Sequence, residues 1–261
     1  MTPPSSSHFN LFVSTSDPRR YLPRSATEVA LVRLERRARK EGMPATLLTG
    51  PSGMGKSLVL RVFAQRMRET LRTVAISGLD CDPRTFCTLV LDVLRQEAGD
   101  DPERALLFCA ADWEARGSAL LIAIDDAERL PIETAGRLGA LAEACSGLRI
   151  VAATSEPSLA LVRALGANHA VELSTPMDLE ETRAFVRAAL ADGWATPEVR
   201  ALFDGVTIAK LHRDAGGVPG EVNRLAAERA DAAVREGFVP EPGRAVWKSA
   251  AEPKRRGVIP L

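Results

Sequence analysis

A glycine-rich segment at residues 50–57, GPSGMGKS, constrains the fold of this chain more than any other feature. It fits the pattern G-x-x-x-x-G-K-[ST], in which glycines let the backbone wrap around phosphate oxygens. The N–H groups of the loop and the positive end of the following helix dipole then face the phosphates. We expect Lys56 to contact the β- and γ-phosphates of a nucleoside triphosphate, ATP, and Ser57 to bind Mg²⁺. The predicted binding loop consists of Gly50, Pro51, Ser52, Gly53, Met54, Gly55, Lys56, Ser57 and Leu58.

Short apolar runs alternate with segments of helical periodicity on either side of this loop. Five of these runs predict strands, at residues 45–49, 73–77, 119–124, 148–154 and 170–173. The alternation predicts an α/β fold of the P-loop NTPase type, with a doubly wound, parallel five-stranded sheet. After residue 176 the strand patterns stop, and four helical segments predict a small all-helical lid domain.

The chain divides by composition into four predicted regions. They are an N-terminal segment with disordered first residues at 1–24, the P-loop core at 25–176, the helical lid at 177–237, and a Pro-rich, basic tail at 238–261. The four cysteines are scattered without a C-x-x-C pair, no apolar run reaches the 18 residues of a membrane span, and no signal-peptide pattern begins the chain. We therefore expect a cytoplasmic chain.

An apolar strand that ends in two carboxylates, LLIAIDD at residues 120–126, predicts the metal side of the site. Asp125 is expected to orient a Mg²⁺ water beside Ser57. Asp126 occupies the position where an ATPase places the carboxylate that polarises the attacking water, although glutamate is usual there. The alternative is that Asp126 caps the following segment or faces solvent.

The strand predicted at residues 148–154 ends in a polar pair, Thr154 and Ser155. A hydroxyl at this strand end can hydrogen-bond the attacking water or the γ-phosphate. The sequence does not distinguish the two residues, and an ordinary polar strand end is the alternative interpretation.

These motifs, in this order, resemble the AAA+ ATPases, and specifically the ExeA/GspA-like secretion ATPases and their relatives among transposition ATPases. The resemblance covers about residues 9–236 and includes SDPRRYL at 16–22, LRIVAATSEPSL at 148–159 and GGVPGEVNRL at 216–225. It implies that ATP lies between the core, the N-terminal segment and the lid. It also implies a homo-oligomer in which a neighbouring subunit supplies an arginine to the site.

The resemblance assigns further residues to the site. Arg163 matches the arginine-finger position, with a surface salt bridge as the alternative. Pro219 lies in the lid motif whose first turn covers the nucleotide base and ribose. Gly220 stands where the family has a lid arginine, and Arg224, one helical turn later, could substitute for it.

Two functional hypotheses follow. The first is an ATPase that uses ATP binding and hydrolysis to switch its oligomeric state and its affinity for a protein partner. The second is a slow or non-hydrolysing, nucleotide-dependent module that binds DNA or protein, which Asp126 and Gly220 favour. The formal net charge is zero, with 34 basic and 34 acidic residues, which argues against DNA. The basic stretch at residues 19–40 nevertheless retains DNA as an alternative partner. A small-molecule kinase is a third, less favoured interpretation.

Overall fold

The computed structural model describes residues 12, 17–39, 44–191 and 195–235. Predictions made for residues 1–11, 13–16 and 236–261, which include the start of the N-terminal segment and the basic tail, lie outside the described residues. Among the described residues, 17–174 form one compact unit, the α/β unit, and residues 175–235 with residue 12 form another, the helical unit.

Five parallel strands form the sheet of the α/β unit, in the order β2-β3-β4-β1-β5. The strands are β1 (Ala45–Thr49), β2 (Arg72–Ser77), β3 (Leu120–Asp125), β4 (Leu148–Thr154) and β5 (His169–Glu172). The predicted doubly wound, parallel five-stranded sheet is therefore confirmed. Because all strands run in one direction, their carboxyl ends meet at one edge of the sheet.

Helices cover both faces of this sheet. They are α1 (Ser25–Arg39), α2 (Lys56–Met67), α3 (Pro83–Leu94), α4 (Pro102–Ala115), α5 (Ile132–Ala144) and α6 (Leu159–Ala164). Alternate strand residues such as Ile122 and Ile150 form one buried core with α3, α4, α5 and α6, whereas α1 and α2 contact the sheet from the other face. Strands buried on both faces explain the continuous apolar runs in the sequence.

Helix α3 ends at Leu94 because the next residue leaves the helical conformation. Arg95 adopts a left-handed conformation with φ 58°, and its N–H donates to the carbonyls of Leu91 and Asp92. This conformation closes the last turn and turns the chain away from the helix axis.

The helical unit contains α7 (Leu179–Ala191), α8 (Pro197–Ala201), α9 (Gly205–Asp214) and α10 (Pro219–Arg235). Its core includes Val186, Leu211 and Val222, together with Phe12, whose ring centroid lies 5.1 Å from that of Phe203. The predicted helical C-terminal region is thus confirmed. None of the helices in the described ranges is both long and apolar enough to cross a membrane.

Candidate functional site

The carboxyl ends of three neighbouring strands bring the predicted core residues together. β1 lies beside β4, with Thr49 opposite Thr154, and β3 lies on the other side of β4. The glycine-rich loop follows β1, Asp125 ends β3, and Ser155 follows β4. Segments that are about 70 to 100 residues apart in sequence therefore share one edge of the sheet.

The loop at residues 50–55 adopts the backbone conformations that its glycines permit. Gly50, Gly53 and Gly55 have φ values of 151°, 80° and 94°, which side chains other than glycine rarely allow. A Cβ atom at Gly50 would collide with the main-chain carbonyl of Leu173, whereas one at Gly55 would meet no neighbour within 4 Å. Gly50 is therefore required both by its dihedral angle and by its packing against the chain after β5.

The side chain of Met54 anchors the middle of the loop, since it is only 2% exposed. The three residues before it, Pro51, Ser52 and Gly53, are exposed, and Gly55 after it is half-buried. Leu58, in the first turn of α2, is also half-buried. The loop is thus fixed at its buried methionine and exposes residues 51–53 to solvent.

Lys56 begins α2 and points back into the loop. Its ammonium donates hydrogen bonds to the carbonyls of Gly50 (2.8 Å) and Pro51 (3.0 Å) and to Ser155 Oγ (2.9 Å). Burial lowers the pKa of Lys56, while the charges of Glu128, Asp125 and Asp126 act in the opposite direction. The lysine is thus a buried cation that the loop and the end of β4 hold in place.

Ser57 and Asp125 form the predicted metal side of the site. Ser57 Oγ donates a hydrogen bond to Asp125 Oδ1 at 3.1 Å, because the loop after β1 and the end of β3 lie at the same edge of the sheet. Burial raises the pKa of the Asp125 carboxyl, so a nearby cation would stabilise its ionised form. The described residues contain no cluster of three or more metal-ligating side chains. This donor set suits a hard cation such as Mg²⁺, which takes one or two protein oxygens and completes its shell with phosphates and water.

Asp126 follows directly, in a left-handed conformation with φ 50° and ψ 46°. Its N–H donates to Asp125 Oδ1 at 3.1 Å, and its side chain is exposed. Its carbonyl packs so closely on Gly78 that a Cβ atom at residue 78 would collide with it. The role of Gly78 was not visible in the sequence, because it depends on contact between the ends of β2 and β3.

Sequence reasoning also missed Glu128, which belongs to a short 3-10 turn at Ala127–Arg129. Its Oε1 accepts a hydrogen bond from the backbone N–H of Ser155 at 3.4 Å. The spacing D-D-x-E at residues 125–128 was the available signal, since a tight turn after a strand brings the fourth residue back toward the sheet edge.

The two candidate residues at the end of β4 differ in the structure. Ser155 is half-buried, and its hydroxyl accepts the hydrogen bond from Lys56. Thr154 is 1% exposed, and its Oγ1 has no hydrogen-bond partner among the described residues. The side chain of Ser155, not that of Thr154, is therefore in contact with Lys56.

Arg163 lies in the last turn of α6 and is exposed. Within the ranges that the structure describes, it makes none of the ion pairs that the salt-bridge interpretation would require.

In the helical unit, Pro219 begins α10 and is half-buried. The preceding Gly217 has φ 70° and packs against the backbone of Met177, whose N–H donates to the Gly217 carbonyl at 2.8 Å. Arg224 is exposed and forms ion pairs with Glu221 (2.9 Å) and Glu228 (2.7 Å) on its own helix. A contact between Arg224 and a nucleotide would require these pairs to open.

The described part of the N-terminal segment is tied to the helix that follows the loop. Asp17 caps a 3-10 turn at Pro18–Arg20. Tyr21 Oη donates to Glu28 at 2.9 Å, and Glu28 in turn pairs with Arg66 on α2 at 2.9 Å. Burial raises the pKa of Tyr21 to about 12, so its phenol stays protonated at neutral pH.

A family model described as an AAA domain matches residues 39–169, about half of the chain. The chain belongs to the AAA+ ATPase family. No curated protein matches the sequence, and the comparisons do not identify the ExeA/GspA-like group within the AAA+ family.

Several solved structures share this AAA+ fold. Cdc6p from Pyrobaculum aerophilum gives a TM-score of 0.58 at 17% identity, over 87% of this chain and 66% of that one. The Aeropyrum pernix ORC2 protein, in ADPNP-ADP complexes, gives 0.54 at 15% identity over the same shares. Domain III of the replication initiation protein DnaA from Thermotoga maritima gives 0.53 at 14% identity, over 85% and 90%. This AAA+ ATPase spans just under two thirds of the first two chains, and at these identities the likeness shows the fold alone.

Proposed function

We propose that this AAA+ chain binds Mg-ATP at residues 50–58 and hydrolyses it. The observation that carries the proposal is the position of Lys56, whose ammonium is held by two loop carbonyls and by Ser155 Oγ. An ammonium at this point, inside a loop of positive-φ glycines, supports the proposal that the loop binds phosphates.

Ser57 and Asp125 would hold the Mg²⁺. The ion, when bound, supplies charge neutralisation at the β- and γ-phosphates. Ser57 and Asp125 already lie within hydrogen-bond distance of each other, so the protein presents two oxygen ligands without rearrangement.

For hydrolysis, we assign Ser155 to the γ-phosphate, because its hydroxyl contacts Lys56. Thr154 is the second candidate for that contact. By its position after the strand, Asp126 is the carboxylate that the sequence predicts for the attacking water. Arg163 of one subunit would stabilise charge on the phosphoryl group held by its neighbour, a contribution worth orders of magnitude in rate.

ATP binding is proposed to switch the assembly of the chain and its affinity for a protein partner. In this proposal residues 177–237 act as a lid, with Pro219 near the base and ribose and Arg224 reaching the nucleotide once its ion pairs open. We further propose a cytoplasmic ATPase of the ExeA-like type, the group that the motif resemblance supports.

The alternative is a slow or non-hydrolysing module whose nucleotide state controls DNA or protein binding. The exposed side chain of Asp126 and the glycine at position 220 favour it. Exposed arginines along α1, such as Arg33, Arg36 and Arg39, support DNA as the partner.

One experiment distinguishes the ATP-hydrolysing switch from the slow or non-hydrolysing module. The full chain is assayed for ATP turnover, and its mass is measured by light scattering with no nucleotide, with Mg-ADP and with Mg-ATP, each with and without duplex DNA. Turnover with an ATP-dependent increase in mass supports the switch. Nucleotide-dependent DNA binding without turnover supports the alternative, and absence of ATP binding refutes both.

A further inference from the structure

Two carboxylates other than Asp125, those of Asp126 and Glu128, follow β3 near the phosphate loop, and both side chains are exposed. They differ in their contacts: Asp126 has a left-handed backbone, whereas Glu128 reaches the end of β4. Aspartate is enriched in that conformation, because its short polar side chain tolerates it better than longer side chains do. The backbone at residue 126 therefore accounts for the aspartate there, where the family usually has glutamate.

The turn after Asp126 directs the chain back toward β4. The N–H of Arg129 donates to the carbonyl of Asp126 at 3.0 Å, and the side chain of Ala127 is fully buried. Glu128 lies on this turn. Its Oε1 accepts a long hydrogen bond from the backbone N–H of Ser155 at 3.4 Å, which places the carboxylate beside the end of β4.

Ser155 connects this carboxylate to the phosphate-binding lysine. Its backbone N–H faces Glu128, and its hydroxyl accepts from Lys56 Nζ at 2.9 Å. These two contacts place the carboxylate of Glu128 and the ammonium of Lys56 on either side of Ser155, next to the proposed position of the γ-phosphate.

We propose that Glu128, rather than Asp126, is the catalytic residue that polarises the attacking water. This inference rests on the proposed ATP hydrolysis. The water oxygen forms a bond to the γ-phosphorus, and the bond from that phosphorus to the β–γ bridging oxygen breaks. ADP leaves with the bonding electron pair. A proton of the water passes to the Glu128 carboxylate and then to solvent, so that ATP and water give ADP, inorganic phosphate and a proton.

The test compares single substitutions in the full chain. Glu128→Gln should lower kcat at least about 100-fold, the usual contribution of a positioned acid–base group, while the Kd for Mg-ATP changes less than about threefold. Glu128→Asp, which withdraws the carboxylate by one methylene, should give an intermediate rate. Asp126→Asn should lower kcat by a smaller factor than Glu128→Gln, because Glu128 rather than Asp126 contacts the end of β4.

The matched control is Glu133→Gln, at an exposed glutamate in the first turn of α5. It should match wild type in kcat and Kd, and all variants should keep the wild-type Tm. Wild-type turnover with an unaffected Glu128→Gln variant, or a loss in Asp126→Asn as large as that in Glu128→Gln, would overturn this assignment alone. ATP binding without any wild-type turnover would refute the proposed hydrolysis and this assignment together.

Discussion

Gly50→Ala tests whether the phosphate loop is held by its packing as well as by its glycine dihedrals. Gly50 has φ 151°, and a Cβ atom there would collide with the carbonyl of Leu173. The matched control is Gly117→Ala, in the turn after α4, where φ is 76° and a Cβ atom would meet nothing within 4 Å. Both substitutions impose a positive φ on alanine, and only the first adds a steric collision.

The expected losses of stability follow from two costs, the positive φ of alanine and the steric collision of its Cβ atom. A non-glycine residue in a sparsely populated φ region costs about 1–3 kcal/mol of folding free energy, so Gly117→Ala should lose roughly 1–2 kcal/mol. Overpacking adds about 1–3 kcal/mol at Gly50, where main-chain atoms must move. Gly50→Ala should therefore lose at least about 1 kcal/mol more than its control, with a Tm lower by about 2–4 °C for each additional kcal/mol.

Urea unfolding followed by circular dichroism measures the stability difference, and titration calorimetry measures ATP affinity. Because the Gly50 carbonyl accepts a hydrogen bond from Lys56, displacement of Gly50 should also weaken ATP binding, by more than about tenfold. Gly117→Ala should bind ATP as wild type does. Equal stability losses and equal affinities in the two variants would refute the argument from packing.

Two further predictions concern the charges of the site. Burial raises the pKa of Asp125, so the ionised carboxylate costs folding free energy at neutral pH; Asp125→Asn should raise Tm slightly at pH 7 while it abolishes turnover. In thermal unfolding scans this gain in Tm should vanish as the pH falls below the ordinary carboxyl pKa, because the wild-type Asp125 is then protonated in both the folded and the unfolded state. A gain in Tm that persists at that pH would contradict burial of the charged carboxylate as its cause. Arg163→Ala should lower turnover when mixed with wild-type subunits, because the arginine acts on a neighbour; turnover proportional to the wild-type fraction would exclude that role.

The sheet and much of the site could be predicted because they depend on local patterns. A glycine-rich loop between a strand and a helix has one arrangement that satisfies its backbone, and parallel strands place their carboxyl ends together. Lys56, Ser57 and Asp125 follow from these two facts. The ion pairs of Arg224 could also be predicted from the sequence, since Glu221 and Glu228 lie three and four residues away on one helix.

The remaining features depend on turns and on contacts between distant segments. Thr154 and Ser155 are adjacent, and successive residues at a strand end point in opposite directions, so the sequence could not tell which one meets Lys56. The role of Glu128 depends on the left-handed Asp126 and the 3-10 turn that follows it. No hydrophobic pattern encodes such a turn.

The central claim is that Lys56 in the glycine-rich loop binds the phosphates of ATP, and calorimetric titration of Mg-ATP tests it most directly. The comparison is between wild type, Lys56→Ala and Lys210→Ala, the last removing an exposed lysine from α9. Loss of the charged hydrogen bonds of Lys56 should weaken binding at least about 100-fold, or roughly 2.7 kcal/mol, while Lys210→Ala binds as wild type does. Wild-type affinity in Lys56→Ala would contradict the claim.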